Sequence, residues 1–356
     1  MTAEERSRGL AGLPADRIRE LSLAAIVVAV VLVFGLLVEN LWSGTFFVRV
    51  TTGVAITAML AAAQTVVILT RNIDLSLGSM VGVSAYVTGE FLARNPDKGA
   101  LVAILLAIGV GCVMGLINGS LVSYGKVPAI IVTIGTLAVY RTWLIEHAEA
   151  QNVTAAMLPD WLNDLSRTSV LSFGDFHVRF GFALAVLVVL VLQLAAGRLH
   201  WGRWLYAVGS SPESARQAGL PVARVTLGAF VIAGALAGLA GFLFILRFGT
   251  ITVYAGAGLE LAAVAAAVVG GVSVLGGSGT MLGALLGALL IDTLNQSLLR
   301  VPQVSEFWRD AILGGLILLA VAADFLLGKR LGRGREPGSR PAAGETPASQ
   351  GVVADA

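Results

Sequence analysis

Charge is scarce in this 356-residue chain: Lys, Arg, Asp and Glu make up 13% of it, against about 25% in soluble domains. That poverty excludes an ordinary soluble enzyme and a disordered chain. The one cysteine, Cys112, lies among Gly and Val in an apolar run, so it forms no intrachain disulfide, contributes no thiol pair to a metal and is expected to be inert packing. His147, His177 and His200 are scattered, without the close spacing that zinc ligation favours. The nearest approach to a phosphate-binding loop, Gly125-Lys126-Val127, lacks the Ser or Thr after lysine, and Ser120 stands where its first glycine belongs. Catalytic triads and paired acid/base carboxylates are not evident, so no chemical step is assigned to this chain. Basic residues give a net charge of +2, yet they are dispersed and lack interleaved aromatics, which argues against nucleic acid.

What is present is hydrocarbon. Apolar residues are 56% of the chain and the mean hydropathy is +0.85, so the solvent is a bilayer. The apolar segments fall at 21–38, 54–69, 76–93, 100–124, 127–145, 178–196, 225–247, 259–275, 279–300 and 308–327. These runs are too continuous for the alternating strands of an outer-membrane barrel. The expectation is an all-α polytopic membrane protein with about ten transmembrane helices. The first segment follows Arg17 and Arg19 and runs into Val38, Glu39 and Asn40 without a small-residue cleavage site, which reads as an anchor.

Placing the N-terminus inside puts 15 of the 24 Lys and Arg on inner segments. This satisfies the positive-inside rule with both termini cytoplasmic. The organisation expected is a cytoplasmic segment 1–20, a transmembrane unit 21–327 with a cytoplasmic loop at 197–224, and a Gly/Pro/Ala-rich disordered tail at 328–356.

A faint internal repeat relates spans 2–5 to spans 7–10. Ile-Asp-Leu-Ser-Leu-Gly-Ser at 73–79 precedes Val-Pro-Ala-Ile at 127–130, as Leu-Glu-Leu-Ala at 259–262 precedes Val-Pro-Gln-Val at 301–304. An offset of five spans inverts the corresponding helices, an arrangement that many transporters use. The 43 glycines recur at four-residue intervals, as at Gly111 and Gly115, Gly234 and Gly238, and Gly279, Gly283 and Gly287. That spacing lets helix backbones approach closely in lipid.

The loop at 197–224 contains a short helix with both ends written in. Ser210 or Ser211 can cap it, Pro212 suits its first turn, Glu213 complements its dipole, and Gly219 with Pro221 stops it. A helix over 212–218 is too short to be stable alone. It lies on the membrane interface or docks into a partner.

Thr-Arg-Asn-Ile-Asp-Leu-Ser-Leu-Gly-Ser at 70–79, Gly-Leu-Ile-Asn-Gly-Ser-Leu-Val at 115–122, Val-Pro-Ala-Ile-Ile-Val-Thr-Ile-Gly-Thr-Leu at 127–137 and Gly-Gly-Val-Ser-Val-Leu-Gly-Gly-Ser-Gly-Thr at 270–280 resemble the permease subunits of bacterial ABC importers for monosaccharides. These include the ribose, xylose, rhamnose and autoinducer-2 permeases. The resemblance spans roughly 50–327. It implies a ten-span inner-membrane permease that pairs with a second permease copy or paralogue. It also implies a periplasmic or lipid-anchored sugar-binding protein as donor and a cytoplasmic ABC ATPase as motor. ATP and Mg would then sit on the ATPase, with no cofactor on this chain. The family's coupling helix corresponds to 211–219, making Glu213, Ala215, Arg216 and Gly219 the expected ATPase contact. The Thr-Arg-Asn-Ile-Asp run is most similar to the rhamnose and autoinducer-2 members, with rhamnose or another monosaccharide the first expectation.

Polar groups at membrane depth are costly and usually face a bundle interior or a water-filled path. Asn118 and Thr136 are the first candidates for the substrate pathway, then Gln64 and Asn295, with Thr133, Gln296, Asp292 and Glu260 behind them. Their amides, hydroxyls and carboxylates suit a sugar's hydroxyls. The alternative for each is hydrogen bonding between helices. Asp74 and Glu260 near helix ends can serve as caps or gating contacts, and Arg71 as an anchor. The loop at 146–177, with Trp161, Leu162 and Leu165 beside Asp160, Asn163 and Asp164, reads as a short amphipathic piece at the periplasmic interface or a landing site for the binding protein. A rival mechanism is an ion-coupled secondary transporter using Glu260 and Asp292 as coupling carboxylates.

Overall fold

The computed structural model describes residues 15–37, 42–149, 151–298 and 300, with isolated positions at 308, 311, 314, 315 and 318. Among the described residues the regular structure is helical apart from one hairpin and an isolated bridge between Val153 and Ile251, with turns and loops between the helices. In order they form α1 (Ala15–Leu37), α2 (Gly44–Ile68), α3 (Leu77–Arg94), α4 (Ala100–Ser123), α5 (Ala129–Ala148), α6 (Asp160–Arg167), β1 (Ser169–Phe173), β2 (Phe176–Arg179), α7 (Phe180–Arg198), α8 (His200–Ser210), α9 (Pro212–Gln217), α10 (Val222–Phe248), α11 (Leu259–Val269) and α12 (Met281–Leu298). Six of them, α2, α4, α5, α7, α10 and α12, are long and apolar enough to cross a membrane. Shorter apolar helices run over Glu20–Leu36 and Leu259–Val269. Most of the expected last span, 308–327, and the tail at 328–356 lie outside the described residues.

Three expectations need correction. The second apolar helix starts at Gly44 instead of residue 54, because Ser43 caps it by accepting the Phe46 N–H at 3.3 Å. Thr51 and Thr52 stay helical there by returning their hydroxyls to the Phe47 and Val48 carbonyls at 2.9 and 2.7 Å. The segment expected at 259–275 ends as a helix at Val269. Gly271, Gly276, Gly277 and Gly279 all have positive φ, so residues 270–280 form a glycine turn. The remaining 11-residue helix spans roughly 16 Å, about half the hydrocarbon thickness. The antiparallel pair β1–β2 was not expected in an all-α chain.

α2 and α10 form the centre, and the neighbour pattern has an internal exchange symmetry. α10 packs against α2, α3 and α4, while α2 packs against α10, α11 and α12; α3 also touches α4 as α11 touches α12. Swapping α2 with α10, α3 with α11 and α4 with α12 therefore returns the same neighbour pairs, as the suggested repeat requires. Glycines make the closest crossing. A Cβ on Gly111 would overlap the Gly234 carbonyl, one on Gly234 would overlap the Gly111 carbonyl, and one on Gly238 would overlap the Ala107 carbonyl. The α4–α10 seam is therefore backbone against backbone.

Candidate functional site

The turn between α2 and α3 is built by its own side chains. Asp74 Oδ1 accepts the Ser76 N–H at 2.9 Å and the Ser76 hydroxyl at 2.6 Å, a local bond that short acidic side chains offer in turns. With its amide turned to the orientation that satisfies both of its atoms, Gln64 on α2 grips the same residue, its nitrogen donating to the Asp74 carbonyl at 3.0 Å and its oxygen accepting the Asp74 N–H at 3.2 Å. From α4, Asn118 Nδ2 donates to Ser76 Oγ at 2.8 Å and lies 3.5 Å from Asp74 Oδ2. Tyr140 of α5 donates from its hydroxyl, 3.1 Å from both Asn118 Oδ1 and the Met114 carbonyl. Thr133 reaches the Ile73 carbonyl at 3.4 Å, and Thr136 bonds back to the Thr133 carbonyl. All of these side chains are buried. Gln64, Asn118, Thr133 and Thr136 thus form or adjoin an interhelical network, and none of them lines either cavity described below.

A different group of candidates does meet open space. At one end of the bundle a cavity of about 430 Å³ lies between α2, α10, α11 and α12, lined by Thr57, Arg247, Tyr254, Asp292, Asn295 and Gln296 among others. Asp292 is 7% exposed, with its carboxylate hydrogen-bonded by Thr57 and facing the charge of Arg247. Gly53 makes room for that pair: a Cβ there would sit 2.9 Å from Asp292 Oδ1 and 3.1 Å from Arg247 Nη1. Asp292 Oδ2 and Asn295 Oδ1 are buried without a hydrogen-bond partner. Both are acceptors, so the site calls for a ligand or water that donates. Glu260 is elsewhere. Its Oε1 accepts the Gly258 N–H at 3.2 Å and its Oε2 is wedged against Gly78 of α3. Arg141 clamps the chain before α11 by donating to the Ala255 and Val253 carbonyls at 2.6 and 3.3 Å.

Arg247 and Thr57 escaped the sequence reading. Arg247 stands near the end of a long apolar run, and the membrane-depth cost that singled out Asp292 applies equally to it.

At the opposite end sits α9. Ser211 caps it, accepting the Ser214 N–H at 3.2 Å, with Pro212 in the first turn. Gly219 at φ +81° ends it, and the Leu220 N–H returns to the Ala215 carbonyl at 3.0 Å. Glu213, Arg216 and Gly219 face outward, as expected of a docking surface. Ala215 does not: it is 5% exposed and packs in one cluster with Leu69, Leu205, Val208 and Val225. Its small side chain seats the helix on its own protein.

The unexpected α8 leads into α9 and is pinned from both sides. Arg71, beyond the end of α2, donates Nε to the Gly209 carbonyl at 2.5 Å and Nη2 to the Ser210 carbonyl at 2.6 Å. These are the last carbonyls of α8, where a cation also complements the helix dipole. On the other side the Tyr206 hydroxyl donates to the Gly279 carbonyl at 2.9 Å, and Gly209 packs against Leu69 and Gly277 backbone. Next to α9 opens a cavity of about 1000 Å³, bounded by the ends of α2 and α4 and the start of α10.

The loop before α7 carries α6, whose Leu162 is buried and whose Trp161 indole donates to the Lys98 carbonyl at 3.0 Å. Among the described residues no group of three His, Cys, Asp or Glu has metal-binding geometry.

Residues 46–321 match the protein-family model described as "Branched-chain amino acid transport system / permease component". Among curated proteins, the chain is 37% identical over 287 residues to the "Autoinducer 2 import system permease protein LsrC" of Yersinia pseudotuberculosis serotype O:1b (strain IP 31758), covering 81% of this chain and 79% of that protein. The proteins of the same name from Yersinia pseudotuberculosis serotype O:3 (strain YPIII) and Yersinia pestis (strain Pestoides F) match with the same identity and coverage. No solved structure matches the chain.

Proposed function

The chain belongs to this family of transport-system permease components, a multi-pass inner-membrane transport subunit, and from that premise we propose that it is the pathway of an ATP-driven importer for autoinducer 2 or a similar sugar-like molecule. The relatives' names favour autoinducer 2 and lend nothing to rhamnose. The observation that carries the coupling is α9, a capped helix of 6 residues seated through Ala215, pinned through Arg71, and presenting Glu213, Arg216 and Gly219. A separate ABC ATPase, holding ATP and Mg, docks on that surface, so α9 lies on the cytoplasmic side with both termini. A second permease copy or paralogue and a sugar-binding protein on the far side complete the assembly.

In this reading the α2–α10–α11–α12 cavity belongs to the substrate path. Substrate hydroxyls donate to Asp292 Oδ2 and Asn295 Oδ1, Gln296 and Thr57 offer further polar contacts, and Arg247 keeps the buried carboxylate from standing alone. Gln64, Asn118 and Thr133 hold the α2–α3 turn with Thr136 beside them, and Glu260 bonds the backbone just ahead of α11 while packing against α3. A helix pressed from below moves the ends of α2 and α12 through Arg71, Tyr206 and the glycine turn.

One feature favours a second mechanism: Asp292, a buried carboxylate with an open oxygen, suits an ion-coupled transporter. Uptake into proteoliposomes holding permease, ATPase and binding protein separates the two. ATP-dependent uptake that is lost without the ATPase, together with weakened ATPase association in Glu213→Ala, is the expected result. Equal ion-driven uptake without the ATPase overturns it.

A further inference from the structure

The cavity beside α9 is a concentration of positive charge. Arg71 after α2, Lys126 after α4, Arg216 on α9 and Arg224 at the start of α10 all line its roughly 1000 Å³, and no Asp or Glu is among its lining residues. Lys126, Arg216 and Arg224 make no salt bridge among the described residues. Arg71 uses Nε and Nη2 on the Gly209 and Ser210 carbonyls, which fixes its guanidinium and leaves Nη1 without a bond among the described residues. Thr70, Asn72 and Ser123 add polar groups to the same wall.

Backbone conformation supplies a second, independent observation. Among the described residues the only non-glycine positions with positive φ are Arg71 at 65°, Lys126 at 55° and Glu149 at 46°. Two of the three hold cations into this cavity. A left-handed conformation costs an L-residue roughly 1–2 kcal/mol, and such strain gathers at ligand clamps and switch regions. A glycine at either position would avoid the cost and lose the charge.

Four exposed like charges on the wall of one cleft give it a positive potential that favours an anion there. Several cations around one volume match a group with several charged oxygens better than a lone carboxylate, and the arginine fork pairs with phosphate oxygens directly. A cleft of this size takes a phosphorylated sugar or a lipid headgroup with room to spare.

We propose that this cavity binds the phosphate group of a phosphorylated small molecule or an anionic phospholipid through Arg71, Lys126 and Arg224, with Arg216 at its edge on the helix that meets the ATPase. The bound phosphate bridges α9 to the ends of α2 and α4 and restrains the helix that the ATPase would move. Binding needs only this chain, so its test stands apart from the transport reading.

The purified full chain in phosphatidylcholine nanodiscs is titrated calorimetrically with glucose 6-phosphate and with glucose. In parallel, native mass spectrometry counts phosphatidylglycerol retained from mixed nanodiscs. Saturable binding of glucose 6-phosphate without binding of glucose identifies a soluble ligand; preferential retention of phosphatidylglycerol identifies a lipid. In either arm Lys126→Gln with Arg224→Gln weakens binding on the order of tenfold, and Lys126→Arg with Arg224→Lys restores it. Binding that survives the neutral pair, or absence of anion preference in both arms, overturns the proposal. So does a neutral pair that lowers only ATPase affinity, which would make the cavity a protein-docking surface.

Discussion

Replacing Arg71 tests how α9 is held. The side chain makes two charge-assisted bonds to the Gly209 and Ser210 carbonyls. Such bonds contribute about 1.5–3 kcal/mol each when buried. Arg71 is exposed, so the lower end applies and Arg71→Ala loosens the α8–α9 junction by about 2–3 kcal/mol. Alanine gains nothing from the left-handed backbone, whereas Arg71→Gly recovers roughly 1 kcal/mol of it and nets about 1–2 kcal/mol of loosening. Local opening of this size raises the open population roughly 30- to 150-fold in Arg71→Ala. Hydrogen exchange of peptides covering 205–220 reads that factor directly, with α4 peptides as the internal reference. Faster exchange confined to 205–220, larger in Ala than in Gly, is expected. Unchanged exchange there, or an equal rise across α4, refutes the staple.

Three further tests probe the rest of the bundle. Gly234→Val drives a side chain into the Gly111 carbonyl and should cost about 3 kcal/mol or more, read as loss of the monodisperse folded peak, while Gly135→Ala, with nothing within 4 Å, should elute as wild type. Asn118→Leu leaves Asp74 Oδ2 without its donor and takes one of two partners from Ser76 and from Tyr140, and should lower stability by about 1–3 kcal/mol in detergent unfolding; a change well below about 1 kcal/mol would show that water replaces the amide. Asp292→Asn and Arg247→Gln in a double-mutant cycle should cost less together than the sum of the two alone, because each side chain faces the other's charge across the cavity, so additive losses would sink the coupling.

Spans and seams were legible because lipid imposes continuous apolar runs and close backbone approach imposes paired small residues. The α9 cap was legible because Ser211, Pro212 and Gly219 are local determinants. The start of α2 was not: Arg49 and the threonines depress local hydropathy, and their hydroxyls are satisfied within the helix, which hydropathy does not report. The short α11 was missed for the opposite reason, since Gly270 to Gly279 are apolar enough to read as a span while their φ values forbid a helix. Ala215 entered the expected partner contact through the family resemblance, which maps the whole of 211–219 and does not say which side chain of that short helix turns inward. Polarity at membrane depth drew attention to Asn118 and Asp292 alike. Only three dimensions separate the satisfied amide from the open carboxylate.

That separation is informative when set against the exchange of neighbours. Swapping α2 with α10 and α4 with α12 relates the α2–α3 turn, held by Asn118 of α4, to the α10–α11 turn, which borders Asp292 and Asn295 of α12. The two turn sites share a plan and differ in saturation, although α3 of the first half also buries the unpartnered hydroxyls of Ser84 and Thr88. In one, Asp74 Oδ1, Ser76 and both ends of the Asn118 amide have protein partners. In the other, Asp292 Oδ2 and Asn295 Oδ1 have none. Unfilled buried acceptors carry a desolvation cost of about 1–3 kcal/mol each, which a protein keeps where something else fills them. A path that opens to one side at a time needs such an imbalance, with one half locked by its own bonds while the other waits for donors. Asn118 in the first half and Asn295 in the second are therefore a matched test. Asn118→Asp should disturb folding and leave any surviving protein's substrate affinity near normal, whereas Asn295→Asp should fold normally and change substrate affinity. Equal effects of the two on unfolding would show that both halves are scaffold and remove the argument for a path through Asp292.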